Sequence, residues 1–224
     1  PAQFDGFTDM IFGRITKATF LRYKIPSLLA GLDKVLYLDV DTLVNDSLDE
    51  LYDTDLMDCY VGAVQEFYGA HIGSINAGML LINTKLWRED GLEQKLFDIT
   101  NEKGINDQVA INRICTGKIK YLGDKYNYQY ENFHTNLVTT NPEYYKFPMK
   151  NPAIIHYVGV HKPWVAKAKL PNSWRYWKYF KMSPWREEYN PLVRLRQALQ
   201  AGRWRLKKWL VLLIFKEFKL DKKV

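Results

Sequence analysis

Apolar positions recur along this chain with two periods. Val35-Leu36-Tyr37-Leu38 is a short apolar run bounded by Asp33-Lys34 and by Asn45-Asp46-Ser47, which predicts a central parallel strand. Asp58 to Val64 predicts a second strand, and Ile75-Asn76-Ala77-Gly78-Met79-Leu80-Leu81-Ile82-Asn83 a third. The small residues opening that third run permit close approach of a ligand or of another backbone, and tight internal packing explains them equally. Helical spacing marks Ile15, Ala18, Thr19 and Arg22, in a segment that gives way at Pro26. It returns over Thr84 to Thr100, interrupted at Gly91. Ser47 opens a short helix through Tyr52, and Asn106-Asp107-Gln108 opens another that carries Val109, Ile111 and Ile114. A polar loop with Gly69, His71 and Gly73 precedes the third strand, and residues 120–151, rich in Tyr and Asn, read as largely irregular. Pro152 to His156 is one more short apolar strand, followed by a Gly159 loop with His161 and Lys162. Strands alternating with helices predict an α/β fold, Rossmann-like, with a mixed, mainly parallel sheet flanked by helices.

Candidate chemistry gathers at the ends of these elements. Asp39 and Asp41 close the first strand, where side chains two residues apart share a face and open α/β sheets bind ligands. Asp-x-Asp is also frequent by chance, and Asp commonly opens loops. Adjacent carboxylates, however, repel unless a cation or a proton joins them. His156 is either a hydrogen-bonded core residue or a third ligand to the same ion. Asn106 and Asp107 are accounted for as an N-cap and a first-turn acid, or else they aim Asp107 and Gln108 into a cleft. Arg22 is brought near the sheet edge or is merely solvated.

Composition narrows the class. With 224 residues, 47% hydrophobic and 25% charged, the chain is an ordinary globular protein of one domain, with or without an appendage. Its two cysteines, Cys59 and Cys115, form no disulfide framework, and no signal peptide is visible, so a reducing cytoplasmic setting is expected. No apolar run approaches the roughly 20 residues that span a bilayer. The net charge of +7 is uneven: 14 Lys and Arg against 4 Asp and Glu from Asn172 onward, but 18 against 21 before it. In that tail Leu195, Leu199, Leu206, Leu210 and Leu213 lie near helical spacing among Arg194, Arg196, Arg203, Arg205, Lys207 and Lys208, with Trp204 and Trp209. Such a segment lies on an anionic membrane surface or packs against a protein. Nucleic acid is not expected, since no binding motif accompanies the charge.

Taken in order, Lys34-Val35-Leu36-Tyr37-Leu38-Asp39-Val40-Asp41, Asn76-Ala77-Gly78-Met79-Leu80-Leu81-Ile82-Asn83, Asn106-Asp107-Gln108, His156-Tyr157-Val158-Gly159 and Lys162-Pro163-Trp164 resemble the motifs of family 8 glycosyltransferases. Ser173 to Glu187 is more loosely similar to the C-terminal extension of the lipopolysaccharide members. The resemblance implies a fold of glycosyltransferase A type over residues 1–170 and a basic, aromatic helical extension over residues 171–224. It also implies retaining transfer of glucose or galactose from a UDP-sugar to a saccharide or lipid-linked saccharide, such as lipopolysaccharide or another surface glycan. Under it Asp39, Asp41 and His156 hold the metal, and Mn²⁺ or Mg²⁺ suits two carboxylates and an imidazole. Lys162, from the Gly159 loop, and Arg22 would meet the diphosphate. Asp107 and Asn76 would meet sugar hydroxyls, and Gln108 would face the reacting carbon. A cytoplasmic protein, peripheral at the inner face of the cell membrane, follows. The family's opening strand and loop for the nucleotide base have no counterpart before Pro1, so the chain is expected to be N-terminally incomplete. The rival readings are a haloacid dehalogenase-type phosphatase, built on Leu38 to Val44 with Gly123-Asp124, and an inactive sugar-binding chain. The phosphatase reading leaves Asn76, Gln108 and His156 unexplained.

Overall fold

The structure, a computed structural model, describes residues 17–66, 74–103, 105–129, 151–159, 162–164 and 173–188, together with residues 195 and 199. Strand β1 (Lys34–Leu38) pairs antiparallel with β4 (Met79–Asn83), Lys34 opposite Asn83 and Leu38 opposite Met79. Strand β3 (Val61–Ala63) joins β4 antiparallel and β5 (Ile119–Tyr121) parallel, giving the order β1-β4-β3-β5. The sheet is therefore mixed, as expected, with two antiparallel pairings and one parallel among the described residues. The Val35–Leu38 strand is also not central: among the described residues it ends the row. The physical reason lies in burial. Met79 to Ile82 are wholly buried on both faces, as a central strand requires, whereas every residue of β1 is only half-buried.

A second departure follows β1. The chain feeds no crossover there; it turns at once, with the backbone N–H and the hydroxyl of Thr42 both donating to the Asp39 carbonyl, at 3.1 and 2.8 Å. Strand β2 (Thr42–Val44) then enters a different sheet of order β2-β7-β6, with β6 at Tyr128–Gln129 and β7 at Ile154–His156. Asp39 and Asp41 thus occupy a corner rather than a strand edge.

Helix α1 (Leu21–Leu28) runs through Pro26 instead of stopping before it. Proline removes one donor, yet the helix closes around it through the Leu29 N–H to the Ile25 carbonyl at 2.9 Å. Helix α2 spans Asp49–Tyr52. The long helix over Thr84 to Thr100 is divided, as anticipated, into α3 (Thr84–Glu89) and α4 (Leu92–Lys103), with Gly91 at φ 61° between them. Helix α5 (Asp107–Ile114) is N-capped by Asn106, whose side chain accepts from the Val109 N–H at 2.8 Å.

Alternation along β4 supplies apolar groups to both sheet faces. Leu80 and Ile82 enter a cluster with Tyr23, Trp87, Leu96 and Ile111, which brings in α1, α3, α4 and α5. Met79 enters another with Leu51, Tyr126 and Ile154. Each large side chain so buried stabilises the fold by about 1.5–3 kcal/mol.

The chain divides into two compact units, Pro1–Tyr128 with Met149–Ile155 and Gln129–Pro148 with His156–Val224. The first carries the four-stranded sheet and α1 to α5. In the second, α6 (Ser173–Phe180) sets Tyr176 among Tyr157, Trp164, Trp177 and Phe180, at ring-centroid distances of 5.1 to 6.4 Å, while Trp174, Met182 and Trp185 are exposed. Leu195 and Leu199 are helical and exposed. The rest of the basic leucine-rich tail, the Gly69 to Gly73 loop and His161 lie outside the described residues. No helix among the described residues is long and apolar enough to cross a membrane.

Candidate active site

Arg22 organises the corner after β1. Its Nη2 donates to Asp39 Oδ1 at 2.9 Å, and its Nη1 serves the Ala77 carbonyl at 2.8 Å and Asp107 Oδ2 at 2.9 Å. Nε donates to the Thr19 carbonyl at 3.0 Å. At 7% exposure this is not a solvated arginine but a buried cation between two carboxylates. Burial pushes the Asp107 carboxyl up from the usual range, with the Arg22 charge pulling against it. Tyr37 completes the corner: its hydroxyl donates to the same Asp39 Oδ1 at 2.6 Å, and Arg22 lies 4.7 Å from its ring centroid. Burial raises the Tyr37 phenol as well, so it stays a proton donor.

Asp39, Asp41 and His156 each offer a ligand atom, and these atoms all lie within 4.8 Å of one another. His156 is buried and follows Ile155 directly on β7, beside β2. The carboxylates converge through the turn at Thr42, not through alternation along a strand. Two carboxylate oxygens and an imidazole nitrogen are a donor set suited to Mn²⁺ or Mg²⁺, and no thiolate joins it.

The first turns of α5 supply a second group of contacts. Asn112 pairs with Ile75 as a strand would, accepting its N–H at 2.8 Å and donating to its carbonyl at 2.9 Å. One helical turn earlier, Gln108 Oε1 accepts the Ala77 N–H at 3.1 Å while its Nε2 donates to Glu66 Oε2 at 2.5 Å. Between these anchors Asn76 Oδ1 accepts from the Gly78 N–H at 3.0 Å and from Asn127 Nδ2 at 2.9 Å. Of the two readings of this helix start, the capping one is seen directly: Asn106 is an ordinary cap, and Asp107 is a first-turn acid that also pairs with Arg22.

In the second unit Gly159 adopts φ 76°, a conformation that favours glycine, and Lys162 Nζ donates to the Tyr157 carbonyl at 2.6 Å. The structure thus brings Arg22, Asp39, Asp107, Asn76 and Gln108 into one hydrogen-bonded network around Ala77, and joins Asp41 and His156 to Asp39. Sequence reasoning passed over Tyr37, Glu66, Asn112 and Asn127. Tyr37 stands two residues before Asp39 on a strand, and Asn112 four after Gln108 on a helix, so both share a face with a named residue. Glu66 and Asn127 arrive from distant segments, and no local signal marks them.

The sequence pattern of Glycosyl transferase family 8 matches residues 13–168. The glycosyltransferase GlyE of Streptococcus pneumoniae is 35% identical over 172 residues, covering 74% of this chain and 41% of its own length. Its crystal structure superposes with a TM-score of 0.66 at 32% identity, over 79% of this chain and 46% of that one. The lipopolysaccharide 1,2-glucosyltransferase of Escherichia coli is 29% identical over 180 residues, covering 70% of this chain and 52% of that protein. The galactosyltransferase LgtC, solved in complex with donor and acceptor sugar analogs, superposes with a TM-score of 0.67 at 27% identity, over 84% of this chain and 77% of that one. Measured against the first of the curated relatives it matches, the chain spans between 25% and 52% of their length.

Proposed function

The chain belongs to glycosyl transferase family 8, and on that premise we propose that it moves a hexose, glucose or galactose, from a UDP-sugar to a saccharide acceptor with retention of configuration. The observation that carries this reading is the grouping of Asp39, Asp41 and His156. Those three side chains would hold Mn²⁺ or Mg²⁺, which when bound supplies a Lewis acid for the charge developing on the departing diphosphate.

The chain's own groups do the rest. Arg22, anchored through Asp39 and Asp107, has one N–H of Nη2 for a diphosphate or sugar oxygen. Lys162, on the Gly159 loop, adds a point charge for the phosphates. Asn76 already uses its amide oxygen on Gly78 and Asn127, so it offers Nδ2 to a sugar hydroxyl, with Asp107 as the complementary acceptor. Gln108 is held at both ends of its amide and is too weak a nucleophile to form a covalent glycosyl–enzyme intermediate. Retention then proceeds by front-face attack. The acceptor oxygen bonds to the anomeric carbon on the face from which the phosphate oxygen departs, the sugar–phosphate bond breaks, and the acceptor's proton passes to the leaving phosphate. Gln108 orients the sugar beneath.

The acceptor class is a lipopolysaccharide or another surface glycan, by likeness to the Escherichia coli glucosyltransferase. A lipid-linked acceptor places the protein at the cytoplasmic face of the cell membrane, where the basic C-terminal segment would meet anionic headgroups. Incubation with UDP-glucose and UDP-galactose, with UDP release and anomer configuration followed by NMR, tests the reading. Release of UDP with Mn²⁺, lost on chelation and reduced at least about 100-fold in Asp41→Asn, is expected; equal release under chelation contradicts it.

A further inference from the structure

Tyr37 has no place in the transfer step, yet it is tied to the carboxylate that opens the metal group. Asp39 Oδ1 accepts two hydrogen bonds, from the Tyr37 hydroxyl at 2.6 Å and from Arg22 Nη2 at 2.9 Å. A carboxylate oxygen has two lone pairs, so both are occupied. The donors are themselves fixed: the guanidinium lies 4.7 Å from the Tyr37 ring centroid and is anchored to Ala77 and Asp107, and the tyrosine sits within β1.

We propose that Tyr37, with Arg22, is a positioning residue that confines Asp39 to one-oxygen coordination and thereby selects small six-coordinate cations over Ca²⁺. The inference rests on the metal assignment proposed above. Mg²⁺ and Mn²⁺ are served by single carboxylate oxygens in octahedral arrangements, whereas Ca²⁺ accepts six to eight oxygens and readily takes both oxygens of one carboxylate. With Oδ1 engaged, Asp39 can meet a cation only through Oδ2, and a larger ion loses the two-oxygen contact it favours. Removing the phenol oxygen restores a lone pair to Oδ1 and allows the carboxylate to turn. The sequence carries a trace of this device, since residues two apart on a strand share a face.

Tyr37→Phe deletes one oxygen and keeps the ring. The probe is Mn²⁺ in the presence of UDP, its bound fraction read by electron paramagnetic resonance while Ca²⁺ is added as competitor to the whole chain. Wild type is expected to prefer Mn²⁺, and Tyr37→Phe to lower the Mn²⁺-to-Ca²⁺ affinity ratio by about 10-fold, the lower end of the range for partners of metal ligands. An unchanged ratio, within about twofold, in a variant of wild-type melting temperature overturns the inference and leaves the metal assignment standing. Failure of wild type to retain Mn²⁺ overturns the metal assignment and the inference with it. If Tyr37→Phe does not fold, Arg22→Lys, which weakens the other donor to Oδ1, is read in the same competition with the same expected direction.

Discussion

Arg22→Met keeps the length of the side chain but leaves Asp39 and Asp107 without the cation that separates them. Loss of one partner from a buried ion pair costs about 3–5 kcal/mol, and the pair with that burial here is Arg22–Asp107, since Asp39 is half-buried and keeps the Tyr37 hydroxyl. Urea denaturation should therefore show a loss of about that size, and a loss under about 1 kcal/mol would mean that the corner does not depend on the pair. Much of this corner is legible residue by residue. Two acids one residue apart, a histidine ending a later apolar strand and an arginine ahead of them are all visible as types. Their mode of convergence is not, because it depends on the turn at Thr42 and on Arg22 reaching Ala77, both set by tertiary packing.

At the scale of elements, α5 acts as a clamp on the segment leading into β4. Asn112→Leu would leave the Ile75 N–H and carbonyl without the partners that now satisfy them, at a cost of about 1–3 kcal/mol. Hydrogen exchange at the Ile75 amide should accelerate more than exchange at Leu81, in the middle of β4. Exchange rising equally at both would show global destabilisation instead. Asn106→Ala should cost about 1 kcal/mol through the lost cap, measurable in the same urea series. The cap, the break at Gly91 and the strand at Met79 to Asn83 follow from composition and period. Strand direction does not: an apolar run has the same period whether its neighbours run with it or against it, so the antiparallel pairing of β1 was hidden. Pro26 misled for a related reason, since helix α1 gains enough from burying Tyr23 and Pro26 to tolerate one missing donor.

At the scale of the whole molecule, buried weak acids set the alkaline limit. Burial raises the phenols of Tyr23, Tyr37 and Tyr157 and pushes the Cys115 thiol up to about 12. The unfolded chain loses these protons near the ordinary values, about 8.5 for thiol and about 10 for phenol, while the folded chain keeps them. Unfolding then releases protons, and stability is full below about pH 8.5 and falls as pH rises toward the folded values. Urea midpoints at pH 7.5 and pH 10.5 should drop accordingly, and the Cys115 thiol should react with a disulfide reagent at pH 8 only after denaturant is added.

The proposed activity depends on whether Asp39, Asp41 and His156 hold a cation that in turn holds the nucleotide. Calorimetric titration of UDP into the chain, with Mn²⁺ present and with divalent metal chelated, measures this most directly. Binding that requires Mn²⁺ and is lost in His156→Ala is the predicted result; equal UDP affinity under chelation, or unchanged affinity in His156→Ala, would contradict it.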